Sequence, residues 1–185
     1  GGYTLEGHST NAISLNKIKS GNWDFVVLQE QSQRPSLPLE QVLEDVFPYA
    51  KILDSIIQEY NPCCETVFYM TWGRKNGDAS NCPYFPVMCT YLGMDTTLRD
   101  RYLDLTASLN GEVSPVSVVW SYLRKNYPGI ELYQTDESHP SAAGSYAAAC
   151  CFYTSLFKKD PSLITFDFGL NATDASIIRN AAKSQ

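Results

Sequence analysis

Three observations predict an α/β fold built on a parallel sheet. Short apolar, β-rich runs alternate with longer helical patterns along the 185 residues. The first clear strand, Asp24 to Leu28 (DFVVL), is continuously apolar rather than alternating, as expected where helices cover both faces of a sheet. Polar, Gly/Pro/Asn-rich loops follow the strands, and the carboxyl ends of parallel strands are where ligand sites collect.

The elements follow in order. Pro35 to Pro38 punctuate a loop. Leu39 to Tyr60 then carries Val42, Val46, Ile52, Ile56 and Ile57 at near-helical spacing and stops before Asn61-Pro62, which predicts a long crossover helix bent at Pro48. Glu65 to Trp72 (ETVFYMTW) is the second strand, and Gly73 to Gly93 a long aperiodic loop. A helix over Gly93 to Asn110, an extended run over Glu112 to Val119 and a short helix over Val118 to Asn126 come next, the last ended by Pro128-Gly129. Ile130 to Gln134 (IELYQ) reads as the last good strand. Ser141 is the expected N-cap of a strong helix running to Lys158, and Thr173 to Lys183 an amphipathic closing helix. No repeat or linker divides the chain, so residues 1–185 read as one domain.

Composition bounds the function. With 44% hydrophobic and 18% charged residues the chain belongs to the globular class, and its length allows roughly 70% of the unfolded surface to be buried without metal or disulfide staples. Fourteen Lys+Arg against 20 Asp+Glu leave no basic footprint for nucleic acid. The longest apolar stretch, Ala147 to Phe157, falls far short of the roughly 20 residues a membrane span needs. Six cysteines contain no CxxC pair, so no metal site is expected. Cys150 and Cys151 read as small core residues. Cys82 and Cys89 flank a Pro/aromatic loop at a spacing that allows a disulfide in an exported protein. The sequon Asn171-Ala172-Thr173 reads as a chance occurrence.

The two histidines carry the functional question. His139 lies in Thr135-Asp136-Glu137-Ser138-His139-Pro140, between a strand and a helix. A carboxylate three residues ahead of an imidazole can hold Nδ1–H, fix the tautomer and leave Nε2 free as a general base. The pair could equally serve only to cap the next helix. His8 sits in a polar stretch, where a surface or capping role is expected. Trp72 and Trp120 fall near strand ends, where a sugar or acyl group could stack, with Tyr84, Phe85 and Tyr91 extending that surface; core packing is the competing use.

Taken together, Trp23 to Ser32 (WDFVVLQEQS) and Asp136 to Gly144 (DESHPSAAG) resemble the SGNH, or GDSL-type, hydrolase superfamily, and in particular a bacterial SGNH-like branch with LQEQS in place of a block ending in Asn-Asp. The resemblance implies a three-layer α/β/α sandwich of the SGNH or flavodoxin-like type. It implies ester hydrolysis without a cofactor, on short acyl esters such as acetyl groups on carbohydrate, in a secreted or periplasmic setting. Asp136 would orient His139, and His139 would activate a serine. Gly2 falls where an oxyanion-hole glycine is expected. Gln31, or alternatively Gln29, stands where the family's Asn supplies an amide donor. The family's GDS or GNS turn follows its first strand, and no GDS or GNS occurs here. The resemblance therefore implies a domain lacking its first strand or two, with the serine upstream and an unpaired sheet edge prone to self-association. Within the chain, Ser9 (in Gly7-His8-Ser9), Ser32 and Ser80 are the substitutes, each readable as an ordinary loop serine. The alternative function is a non-catalytic module that binds glycan or protein through the same cleft. A nucleotide-binding reading is weakened by the absence of a Gly-rich phosphate loop.

Overall fold

The computed structural model describes residues 2–184. Its elements are α1 (Leu5–Thr10), α2 (Ala12–Lys19), β1 (Phe25–Leu28), α3 (Leu39–Asp45), α4 (Phe47–Tyr60), β2 (Glu65–Tyr69), α5 (Tyr91–Leu109), β3 (Glu112–Ser114), α6 (Val116–Asn126), α7 (Ala142–Phe157) and α8 (Ala172–Lys183). The strands form one parallel sheet in the order β1-β2-β3, with Phe25 opposite Glu65 and Val67 opposite Glu112.

Successive side chains of β2 point to opposite faces. Phe68 and Met70 enter a core with Leu5, Val42, Leu53, Ile57, Leu98 and Tyr102, so α1 to α5 cover that face. Tyr69 points the other way, against a second core built by α6, α7 and α8 around Trp120, Leu123, Tyr146, Ala147 and Ile178. The result is an α/β/α arrangement, as expected. No described helix is long and apolar enough to cross a membrane.

Four local expectations are corrected. Residues 39–60 form two helices, because Pro48 has no N–H to continue the ladder of α3; Val46 leaves helical geometry (φ −124°) and Pro48 sits in the first turn of α4. Ile130 to Gln134 does not join the sheet. Its backbone pairs with the loop it feeds: Ser141 N donates to Leu132 O at 2.9 Å, Gln134 N to His139 O at 2.8 Å, and Tyr133 makes only an isolated bridge to Pro140. The stretch around His8 is helical rather than loop, with Thr4 capping α1 through Gly7 N and Asn11 capping α2 through Ser14 N.

The fourth correction concerns β1. Its burial is uneven, with Leu28 buried and Val27 42% exposed, because α6 to α8 stop short of its side of the sheet. Glu65 N donates to Asp24 O at 2.9 Å, which turns the even-numbered residues of β1 toward β2. The N–H and C=O groups of Phe25 and Val27 therefore face outward. Among the described residues no strand pairs with that edge.

Candidate active site

The turn between residues 134 and 140 is built by its own short-range bonds. Glu137 N donates to Gln134 O at 3.0 Å, and Glu137 takes a left-handed conformation (φ 59°) that turns the chain back. Asp136 then closes the turn with its side chain. Oδ1 accepts from the backbone N–H groups of Ser138 (3.0 Å) and His139 (2.9 Å), and Oδ2 lies 2.5 Å from His139 Nδ1. A carboxylate only accepts, so Nδ1 carries the proton and Nε2 is left with a lone pair when the ring is neutral. The imidazole is open to solvent, with 68% of its side chain exposed. The hydrogen bond from His139, followed by those from the two backbone N–H groups, pulls the Asp136 carboxyl down to about 2.

The turn is held from outside by the end of β2. Trp72 Nε1 donates to Ser138 O at 3.1 Å, Lys75 N to Glu137 O at 2.9 Å, and Asn76 Nδ2 to the Glu137 carboxylate at 2.8 Å. Behind it Ser141 Oγ caps α7 by accepting from Gly144 N at 3.1 Å. Asp136 and His139 thus stand at the carboxyl end of the sheet, joined to it through the 72–76 segment.

The end of β1 carries a second cluster. Glu30 is buried, and its carboxylate accepts from Gln31 N (2.6 Å) and Leu5 N (3.3 Å) while its own N–H donates to Tyr102 Oη (3.1 Å). Burial pushes the Glu30 carboxyl up, against the two backbone bonds. The contact with Leu5 brings the segment beginning at Gly2 to the end of β1. Gly2 itself is exposed with φ +71°, and no atom would meet a Cβ there within 4 Å. Asp95, buried beneath the end of β2, accepts from Gly73 N (3.0 Å) and Ser117 Oγ (3.1 Å), and burial raises its carboxyl too. Neither carboxylate stood out in the sequence as a site residue. A signal was present for Glu30, a charge set two residues after the end of an apolar strand.

The remaining candidates divide. Gln31 spends its amide on the loop: Oε1 accepts from Gln33 N (3.0 Å) and Arg34 N (3.3 Å), and Nε2 donates to Gln33 Oε1 (2.9 Å). Gln29 is exposed, and among the described residues its side chain makes no hydrogen bond, so its amide is the more available of the two. Trp120 lies inside α6 rather than at a strand end, is fully buried, and stacks on Trp72 at 3.8 Å with Tyr133 edge-on; this pair belongs to the core and offers no face to a ligand. Ser9 is in α1 and donates to Glu6 O, Ser32 lies in the turn after β1, and Ser80 is in the exposed part of the 73–90 loop. Among the described residues no serine hydroxyl is hydrogen-bonded to His139.

Two solved structures resemble this fold. A DUF4886 family protein from Bacteroides uniformis ATCC 8492 superposes with a TM-score of 0.81 at 16% identity, over 100% of this chain and 79% of its own. A candidate SGNH hydrolase from Slackia heliotrinireducens superposes with a TM-score of 0.67 at 23% identity, over 84% of this chain and 80% of its own. The fold is SGNH-like. No family model and no curated protein matches the sequence. In this SGNH-like fold the Asp136–His139 turn and the loop after β1 share the carboxyl end of the sheet. The 74–78 segment bridges them, bonding Gln33 through Asp78 (2.5 Å) and Glu137 through Lys75.

Proposed function

We propose that this chain carries the acid–base half of a serine ester hydrolase acting on short acyl esters, carbohydrate acetyl esters among them. The observation that carries the reading is the 2.5 Å contact of Asp136 Oδ2 with His139 Nδ1, which leaves Nε2 exposed at the carboxyl end of a parallel sheet. His139 takes the proton of the serine hydroxyl as it attacks the ester carbonyl, then returns it to the leaving alcohol, while Asp136 keeps the ring in the tautomer that can accept. Gln29, whose amide is exposed and uncommitted among the described residues, is the amide donor to the oxyanion, and the Gly2 backbone a second donor. The serine comes from a strand beside β1 that is not among these residues; the outward N–H and C=O groups of Phe25 and Val27 support that position.

The test is hydrolysis of p-nitrophenyl acetate by the full-length protein, with a fluorophosphonate to mark the reactive serine. His139→Ala should lower kcat by about 10³ or more, and the label should sit on a serine outside residues 1–185. Unchanged activity in His139→Ala would overturn the assignment, and a label on Ser9, Ser32 or Ser80 would overturn the missing-strand part of it. A second reading, a binding module for glycan or protein, is favoured by the lack of a serine on His139 among the described residues. It predicts no label and no turnover, with saturable binding of acetylated oligosaccharide.

A further inference from the structure

The Asp136–His139 turn is exposed, so packing does not hold it; what holds it reaches across from the loop after β2. That loop is tied to itself at one point. Asp78 is wholly buried, and a buried carboxylate persists only when its oxygens are matched by donors. It receives Gln33 Nε2 (2.5 Å), Asn81 Nδ2 (2.8 Å), Ser80 N (3.0 Å) and Arg74 Nη1 (3.3 Å). Its backbone is engaged as well, with Asp78 N donating to Met88 O at 2.7 Å and Cys82 N to Asp78 O at 2.8 Å. The Cys82–Cys89 disulfide closes the same loop covalently. Gly77, at φ +82°, lies so close to the 88–90 backbone that a Cβ would come within 2.6 Å of it.

One Asp78 partner, Gln33, belongs to the loop after β1. On the other side, Lys75 and Asn76 hold Glu137, the left-handed residue whose placement lets Asp136 bond the N–H groups of Ser138 and His139. Arg124 Nη2 adds a bond to Lys75 O at 3.0 Å.

We propose that Asp78, locked in place by the Cys82–Cys89 disulfide, is a positioning residue that holds the Asp136–His139 turn in register with the loop after β1. Asp78 reaches the turn only indirectly, through Arg74, Lys75, Asn76 and Glu137, and reaches the loop after β1 through Gln33. This inference rests on the reading of Asp136 and His139 as the working pair, but its test needs no turnover, so the two can fail separately.

The test is amide hydrogen exchange, resolved by residue, on the full-length protein in four forms: untreated, reduced with dithiothreitol, Asp78→Asn, and Cys82→Ser/Cys89→Ser. In the reduced form the dithiol gives two electrons and two protons to the disulfide, leaving two thiols and a cyclic oxidised reagent. The nitrogen shifts of His139 are read alongside. Exchange at Ser138 and His139 should rise about tenfold in all three perturbed forms, the loss expected for about one hydrogen bond. The His139 shifts should move from the Nδ1–H tautomer toward a mixture, with core amides of α7 unchanged. Faster exchange confined to residues 74–90, with Ser138, His139 and the imidazole unaffected, would overturn the proposal. Should Asp78→Asn not fold, the reduced wild-type protein carries the same comparison.

Discussion

The Asp136 carboxylate accepts three hydrogen bonds within four residues, and two consequences follow at the scale of that single side chain. The first concerns pH. Its pKa is lowered in the folded chain to about 2, from an unfolded value near the usual 3.8, so the ionised form stabilises the turn fully above about pH 4. That contribution is lost as pH falls toward 2. On the acid side the amide resonances of Ser138 and His139 should therefore report the carboxylate with a midpoint near 2. A midpoint near 4 would show that the turn does not hold the carboxylate. The second concerns catalysis. Asp136→Asn keeps an acceptor for the backbone but can present an NH2 to Nδ1, which favours the wrong tautomer, so kcat should fall by about 10³–10⁴ with little change in KM. Equal losses in kcat from Asp136→Asn and from a substitution elsewhere in the same turn, such as the neighbouring Thr135→Ala, would argue that only loop order matters.

At the scale of elements, α7 explains why a glycine ends the DESHPSAAG motif. A Cβ on Gly144 would lie 2.3 Å from Leu132 O and 2.5 Å from the Trp120 ring, so only glycine lets the first turn of α7 close over residues 130–133. Gly144→Ala should cost about 1–3 kcal/mol, read as a lower urea midpoint at unchanged m-value; an unchanged midpoint would mean that the helix can shift freely at its start. The same contact separates what was legible in the sequence from what was not. Helix α7, with its Ser141 cap, and strand β2, with its ETVFY run, carry their signals locally, and both form as expected. Residues 130–134 have strand composition too, but their backbone partners are Ser141 and His139, brought round by a turn that no strand pattern encodes. The Asp136–His139 contact was legible because three residues span one turn. The roles of Glu30, Asp95 and Asp78 were not, because each depends on a partner remote in the chain: Leu5 and Tyr102 for Glu30, Gly73 and Ser117 for Asp95, Gln33 for Asp78. For Trp72 and Trp120 the sequence left ligand stacking and core packing both open, and the structure takes the second: the two rings stack on each other and are buried.

At the scale of the whole molecule, the sheet is asymmetric. Helices α1 to α5 cover one face from β1 to β3, whereas α6 to α8 cover the other face over β2 and β3 only, which leaves Val27 exposed beside an edge with outward backbone groups at Phe25 and Val27. An apolar strand with an unpaired, uncharged edge is a template for another strand. Two fates compete for it: a strand from the rest of the protein, as the proposed function requires, or the same edge of a second copy. The 185-residue chain purified alone should therefore associate as its concentration rises, and Val27→Lys, which places a charge at the open edge without touching the buried Leu28 face, should keep it monomeric. Adding the strand that fills the edge should suppress association in the same way while leaving Val27 unchanged. Sedimentation velocity across a concentration series distinguishes the cases, and a wild-type chain that stays monomeric and melts cooperatively throughout would mean that the edge of β1 is satisfied in solution and needs no further strand.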